Sequence, residues 1–150
     1  MVSRIYLDAC CLNRPFDDQA SDRIRIESEA VLLILRHLQS GAWHWIGSEV
    51  LELELERTPD GERRGRTLAL YSSIKQSVRV GEREARRANE LQAMGFQAFD
   101  ALHLACAESA KCHALLTTDD RLLRLAARKA RDLRIKVANP LDWLTEALGE

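Results

Sequence analysis

Four of the 23 acidic residues stand apart by their surroundings. Asp8 ends the short apolar run "RIYLD" and is followed by Ala9, Cys10, Cys11 and the polar stretch "NRPFDD". Asp119 follows a second such run, "HALLTT". Asp100 is the only charge in "QAFDALHLACA", and Glu54 lies in "SEVLELELER". A buried carboxylate is costly unless something compensates it. Four that converge repel one another, and such a cluster persists only with cations between its members. Oxygen ligands select hard divalent ions, Mg2+ or Mn2+, partly hydrated. The chemistry that follows is metal-assisted hydrolysis of a phosphodiester.

Each acid has a plainer role open to it. Asp8 could close an Asx turn at a strand end. Asp119 could cap a helix beginning at Asp120. Asp100 could sit at the positive end of a helix, or pair with His103 one turn on. Glu54 competes with Glu49, Glu52 and Glu56 on the same segment, and spacing alone does not choose among them. Asp17, Asp18, Asp60 and Asp132 read as loop or surface acids.

Other chemistries lose support. No G-x-x-x-x-G-K-[ST] and no G-x-G-x-x-G occurs, which argues against a nucleotide-cradling domain. No G-x-S-x-G occurs, which argues against an α/β-hydrolase. The four cysteines form no C-x-x-C pair and read as reduced thiols, Cys10 and Cys11 as packing residues. In "HLACAESAKCH" the spacing of His103, Cys106, Cys112 and His113 fits no common zinc pattern.

The elements that must position the four acids follow from periodicity and caps. Residues 4 to 8, 43 to 47, 77 to 80, 113 to 118 and 134 to 138 read as short strands. Residues 9 to 18 read as a loop. A helix starts at Ser21 or Asp22 and closes at Gly41. Ser48 caps a helix over "EVLELELER", and Thr58–Pro59 starts one reaching about Lys75. Further helices cover 82 to 94, 98 to 111, 120 to 133 and 140 to 148. Alternating strands and helices imply an α/β fold of three layers, α/β/α, around a mostly parallel sheet of four to five strands. In such sheets ligands bind beyond the carboxyl ends of the strands, where Asp8 and Asp119 fall.

A length of 150 residues suits one domain spanning 1–150. No stretch is long and apolar enough to cross a bilayer, and the N-terminus lacks a secretory pattern, so a cytoplasmic location is the expectation. The net charge of −1 gives no global footprint for nucleic acid. Yet only Lys75, Lys111, Lys129 and Lys136 among the 22 basic residues are not Arg, the side chain best matched to phosphate. Arg121, Arg124, Arg128 and Arg131 recur at helical spacing. They read either as a phosphate-tracking stripe or as a solvated face.

Taken in order, "IYLDACCLNR", "IGSEVLELEL", "FDALHLACA" and "LLTTDDRLL" resemble the PIN-domain family, and within it the VapC-type toxins of bacteria and archaea; "VANPLDWL" resembles the usual ending. The resemblance spans nearly the whole chain and implies a PIN-like fold. It implies Asp8, Glu54, Asp100 and Asp119 as catalytic and metal-binding residues. Glu54 is selected because it stands six residues after Ser48, and Asp119 is preferred to Asp120. It also implies a Mg2+- or Mn2+-dependent endoribonuclease that cuts RNA, pairs as a homodimer and is held by a small antitoxin. Arg14, Asn13 and Thr117, beside the first and fourth acids, are the candidate substrate contacts; Arg14 could equally pair with Asp17 or Asp18. Many relatives carry Ser or Thr just after the first acid, where this chain has Ala9 and Cys10. Trp43, Trp45 and Trp143 either line an antitoxin groove or belong to the core. Two other readings stay open: a PIN-like scaffold that binds without catalysing, and a metal phosphohydrolase with a non-RNA substrate.

Overall fold

Ile5, Tyr6 and Leu7 are consecutive and all fully buried, as are Ala114, Leu115 and Leu116. A strand with no exposed alternate side chain must be covered on both faces, which is the condition of a parallel sheet between helices. The computed structural model describes residues 2–149 and has that architecture. Five strands, β1 (Arg4–Leu7), β2 (His44–Ser48), β3 (Gln76–Val78), β4 (Ala114–Leu116) and β5 (Lys136–Ala138), form one sheet in the order β3-β2-β1-β4-β5. Every neighbouring pair is parallel, so the sheet is wholly rather than mostly parallel.

The connections run as α1 (Ala9–Asn13), a 3-10 turn at Arg14–Phe16, α2 (Asp22–Gln39), α3 (Glu49–Glu56), α4 (Gly61–Tyr71), α5 (Glu82–Ala93), α6 (Ala98–Ser109), α7 (Asp120–Arg128), a second 3-10 turn at Ala130–Asp132 and α8 (Pro140–Leu148). From β1 the chain steps to β2, whereas from β4 it steps the other way to β5. Right-handed crossovers then place helices on both faces. The strand order reverses between β1 and β4, and the crevice at such a switch point is where open α/β sheets bind ligands.

Two segments differ from the sequence expectation. Residues 9 to 16 are helical rather than a loop, because the Asp8 side chain caps α1 by accepting from the Cys11 N–H. The Thr58–Pro59 pair does not start α4: Asp60 does, its carboxylate accepting from the N–H groups of Glu62 and Arg63. Gly47 is set by close approach. A Cβ there would lie 2.5 Å from Ile74 Cδ1 and 2.6 Å from the Tyr71 hydroxyl. That hydroxyl donates to the Ser48 carbonyl at 3.0 Å and pins the end of β2, from which α3 departs.

Candidate active site

Parallel register puts Leu7 beside Leu116, and the Asp8 N–H donates to the Leu116 carbonyl at 3.2 Å. The residues that follow β1 and β4 therefore emerge side by side. Asp8 caps α1 through Oδ1, 3.1 Å from the Cys11 nitrogen. Asp119 caps α7 in the same way, with Oδ1 accepting from Arg121 N–H at 2.9 Å and Leu122 N–H at 3.4 Å. The plainer reading of each acid is thus true, and it does not compete with the chemical one. A cap occupies one oxygen and fixes the carboxylate, and Oδ2 is left for another partner. Asp100 stands in the first turn of α6, and Glu54 on α3. All four acids, with Ala9, Cys10 and His103, line one cavity of about 120 Å³. Of the acids on α3, Glu54 alone reaches it; Glu49 instead accepts from the Val80 N–H at 2.6 Å.

Among the described residues no Lys or Arg lines this cavity. Burial pushes the Asp8 carboxyl well above its ordinary range. Burial also raises Asp100, followed by the negative charges of Asp119 and Glu54, against a lowering influence of His103. A hard divalent cation fits this set of carboxylate oxygens, since it would supply positive charge that no Lys or Arg there supplies.

The raised acids have a consequence for stability. A carboxyl with a higher pKa folded than unfolded contributes stability that is complete below its unfolded pKa and is lost as pH rises through the folded value. Metal-free protein should therefore lose stability as pH climbs out of the carboxylate range, and Asp100→Asn should blunt that loss. Melting curves in EDTA from about pH 4 to about pH 8 check this; a wild-type profile parallel to that of Asp100→Asn contradicts it.

Glu54 is held by a buried polar chain. His103 Nε2 lies 2.9 Å from Glu54 Oε1, and His103 Nδ1 lies 2.6 Å from the Tyr6 hydroxyl. That hydroxyl lies 2.7 Å from Ser48 Oγ, which accepts from the Leu51 N–H and caps α3. Glu54 accepts, so His103 donates to it from Nε2. The residue that starts α3 is tied in this way to the residue that α3 presents. Sequence reading linked His103 to Asp100, to packing or to zinc; its role beside Glu54 was visible only as a histidine one turn after Asp100.

Cys10 occupies the place where a hydroxyl was expected. Its thiol donates to Asp8 Oδ1 at 2.8 Å, and its sulfur accepts from the Thr118 N–H at 3.3 Å. It is a polar support for Asp8 rather than a packing residue. Cys11 does pack: it is fully buried, its thiol 3.3 Å from the Leu116 carbonyl. Cys10→Ser should preserve Mn2+ affinity, because a hydroxyl makes the same contacts. Cys10→Ala should weaken it about tenfold, the usual loss of a ligand's supporting hydrogen bond. Calorimetric titration of both variants distinguishes these outcomes; equal affinities would remove the supporting role.

None of the three candidate substrate contacts is among the residues lining this cavity. Arg14 is engaged by Glu27 at 2.8 Å and Asp17 at 3.2 Å. Asn13 donates to the Ala9 carbonyl, and its Oδ1 accepts from Arg63. Thr117 is fully buried, its Oγ1 accepting from the Asp119 N–H at 3.1 Å, so it shapes the turn before Asp119. Asp120 is exposed and held by both terminal nitrogens of Arg23. The zinc grouping does not assemble, for His113 Nδ1 accepts from the Arg4 N–H while His103 faces Tyr6 and Glu54. Among the described residues, the one group of three or more His, Cys, Asp or Glu whose ligand atoms all lie within 4.8 Å of one another is Asp8, Cys10 and Cys11; no three of the four acids approach one another so closely. Trp45 and Trp143 are buried, and Trp43 packs edge-on against Trp143 at 4.7 Å, so these rings belong to the core.

A family model described as "PIN domain" matches residues 5–128. No curated protein sequence matches the chain. Among solved structures, a chain of VapBC2 from Rickettsia felis, crystallised bound to a DNA fragment from its promoter, superposes with a TM-score of 0.57 at 11% identity. The match covers 91% of this chain and 98% of that one, and at such identity it is a likeness of fold. Among the described residues no helix is long and apolar enough to cross a membrane.

Proposed function

The chain belongs to the PIN-domain family, and on that premise we propose that it is a divalent-metal-dependent endoribonuclease, the toxin of a toxin–antitoxin pair. The observation that supports this reading is that Asp8, Glu54, Asp100 and Asp119 line one cavity whose other polar side chains are Cys10 and His103, with no Lys or Arg among them. A bound Mg2+ or Mn2+ would polarise the scissile phosphate and activate water. Asp8 and Asp119, fixed by their caps, would hold the ion through the oxygens those caps leave over. Glu54 is oriented for the same task by the His103 Nε2–H. Asp100 has its proton affinity raised by burial and by its acidic neighbours, which suits it to accept a proton from water in the cavity.

Cleavage of a mixed-sequence RNA in Mn2+, abolished by EDTA, is the expected result. Equal cleavage with and without the metal, or none in either, removes the reading. An antitoxin partner is supported by the likeness to a VapBC2 chain. A second copy of this chain is supported by Ile26, Leu32 and Leu33, which are exposed on α2. Light scattering on the isolated chain tests the dimer. A cytoplasmic site of action is part of the same proposal.

A further inference from the structure

Beside the acidic cavity lies a second, larger one of about 540 Å³, between the start of α6 and the length of α7. Asp100 borders both. Its floor is apolar, with Met94, Leu122 and Leu125, and its wall is basic, with Arg121, Arg124, Arg128 and Lys129. Among the described residues none of these four cations makes an ion pair or a side-chain hydrogen bond. Elsewhere on the surface, Arg23, Arg25, Arg63, Arg66 and Arg87 each close on a carboxylate. Four unpaired cations facing one groove repel one another and raise its affinity for an anion with several charges. Arg121, Arg124 and Arg128 span about 10 Å of helix axis at 1.5 Å per residue, which suits a run of charges rather than one ion.

Resting on the nuclease reading above, we propose that this groove holds the single-stranded RNA flanking the scissile phosphate. Arg124 and Arg128 would contact successive backbone phosphates while a base lies against Leu122 and Leu125. The apolar floor favours an unstacked strand over a duplex, whose bases would be turned inward. Arg121, at the border with the acidic cavity, lies nearest the reacting phosphate.

The test is the double reversal Arg124→Glu/Arg128→Glu, compared with wild type and with Arg25→Glu/Arg36→Glu on α2 as a control of equal charge change. The probes are a fluorescein-labelled single-stranded oligoribonucleotide, for anisotropy in EDTA and for cleavage in Mn2+, and bis(4-nitrophenyl) phosphate, a diester too small to reach the groove. The groove reversal should weaken oligonucleotide binding at least tenfold. It should also lower the slope of log K against log salt by about 1.4, two phosphates at about 0.7 each. KM for RNA should rise, cleavage of the small diester should stay unchanged, and the α2 control should move none of these. Undetectable wild-type binding, or affinity and slope unaltered by the groove reversal, overturns the groove. Binding lost on reversal by a protein that cuts neither probe supports the groove and removes the nuclease reading, so the two failures are separable.

Discussion

Replacing Asp119 with Asn should reduce metal-dependent RNA cleavage about a thousandfold and leave the fold intact. Asn caps helices as well as Asp does, and its Oδ1 can still accept from the Arg121 and Leu122 N–H groups. The side chain keeps its shape and its structural bonds and loses only its charge. What that charge holds is worth several kcal/mol of transition-state stabilisation, at about 1.36 kcal/mol per tenfold in rate. Asp8→Asn should behave alike, since an amide oxygen can accept from the Cys11 N–H and the Cys10 thiol. Each change also removes a like charge from the cavity, so both variants should melt no lower than wild type in EDTA. Initial rates on labelled RNA with parallel melting curves measure both quantities. Full activity in either variant would show that its carboxylate takes no part.

How these residues can be read from sequence depends on how local their reasons are. The strands and the helix starts at Ser21 and Ser48 were legible, because apolar runs and caps are neighbours in sequence. The five residues of α1 are too few to display a helical period, and that segment folds because Asp8 caps it and Cys11 and Leu12 are buried. Thr58–Pro59 looked like a helix start, but Asp60 two residues later offers a carboxylate that reaches two N–H groups. Arg14 looked free for a phosphate. Its partner Glu27 lies on α2, buried where an apolar residue would be expected, and Arg23 and Asn139 close on the same carboxylate. Nothing in "NRPFDD" announces that contact. The four candidate acids were legible as a set only through their order along the chain, and the choice of Glu54 over its neighbours rested on resemblance; in the fold Glu54 is the acid of α3 that lines the cavity. The cap-or-ligand question at Asp8 and Asp119 had no answer in sequence because the two roles use different oxygens of one carboxylate.

The basic stripe was undecidable for a related reason. Helical spacing puts Arg121, Arg124 and Arg128 on one side of α7, but whether that side meets acids, solvent or a groove depends on α6. In the folded chain it lines a groove together with Met94, Gly95 and Asp100.

His103→Phe should lower Mn2+ affinity and RNA cleavage about 10- to 100-fold, the range found when a ligand's supporting partner is lost. It should also cost about 1–3 kcal/mol of stability, because the buried Tyr6 hydroxyl loses a hydrogen-bond partner. The two effects have different origins and can be separated. Tyr6→Phe removes the same hydroxyl yet leaves His103 Nε2 beside Glu54, so it should reproduce much of the stability loss with a smaller effect on Mn2+ binding. Calorimetric titration and melting curves on both variants provide the comparison. If the two lose Mn2+ affinity equally, Tyr6 is needed to hold His103 against Glu54, and a helix cap, a tyrosine and a histidine together set one carboxylate. If only His103→Phe loses it, the contact between His103 and Glu54 alone positions that carboxylate and the chain from Ser48 through Tyr6 serves the core; if neither loses it, the contact positions nothing.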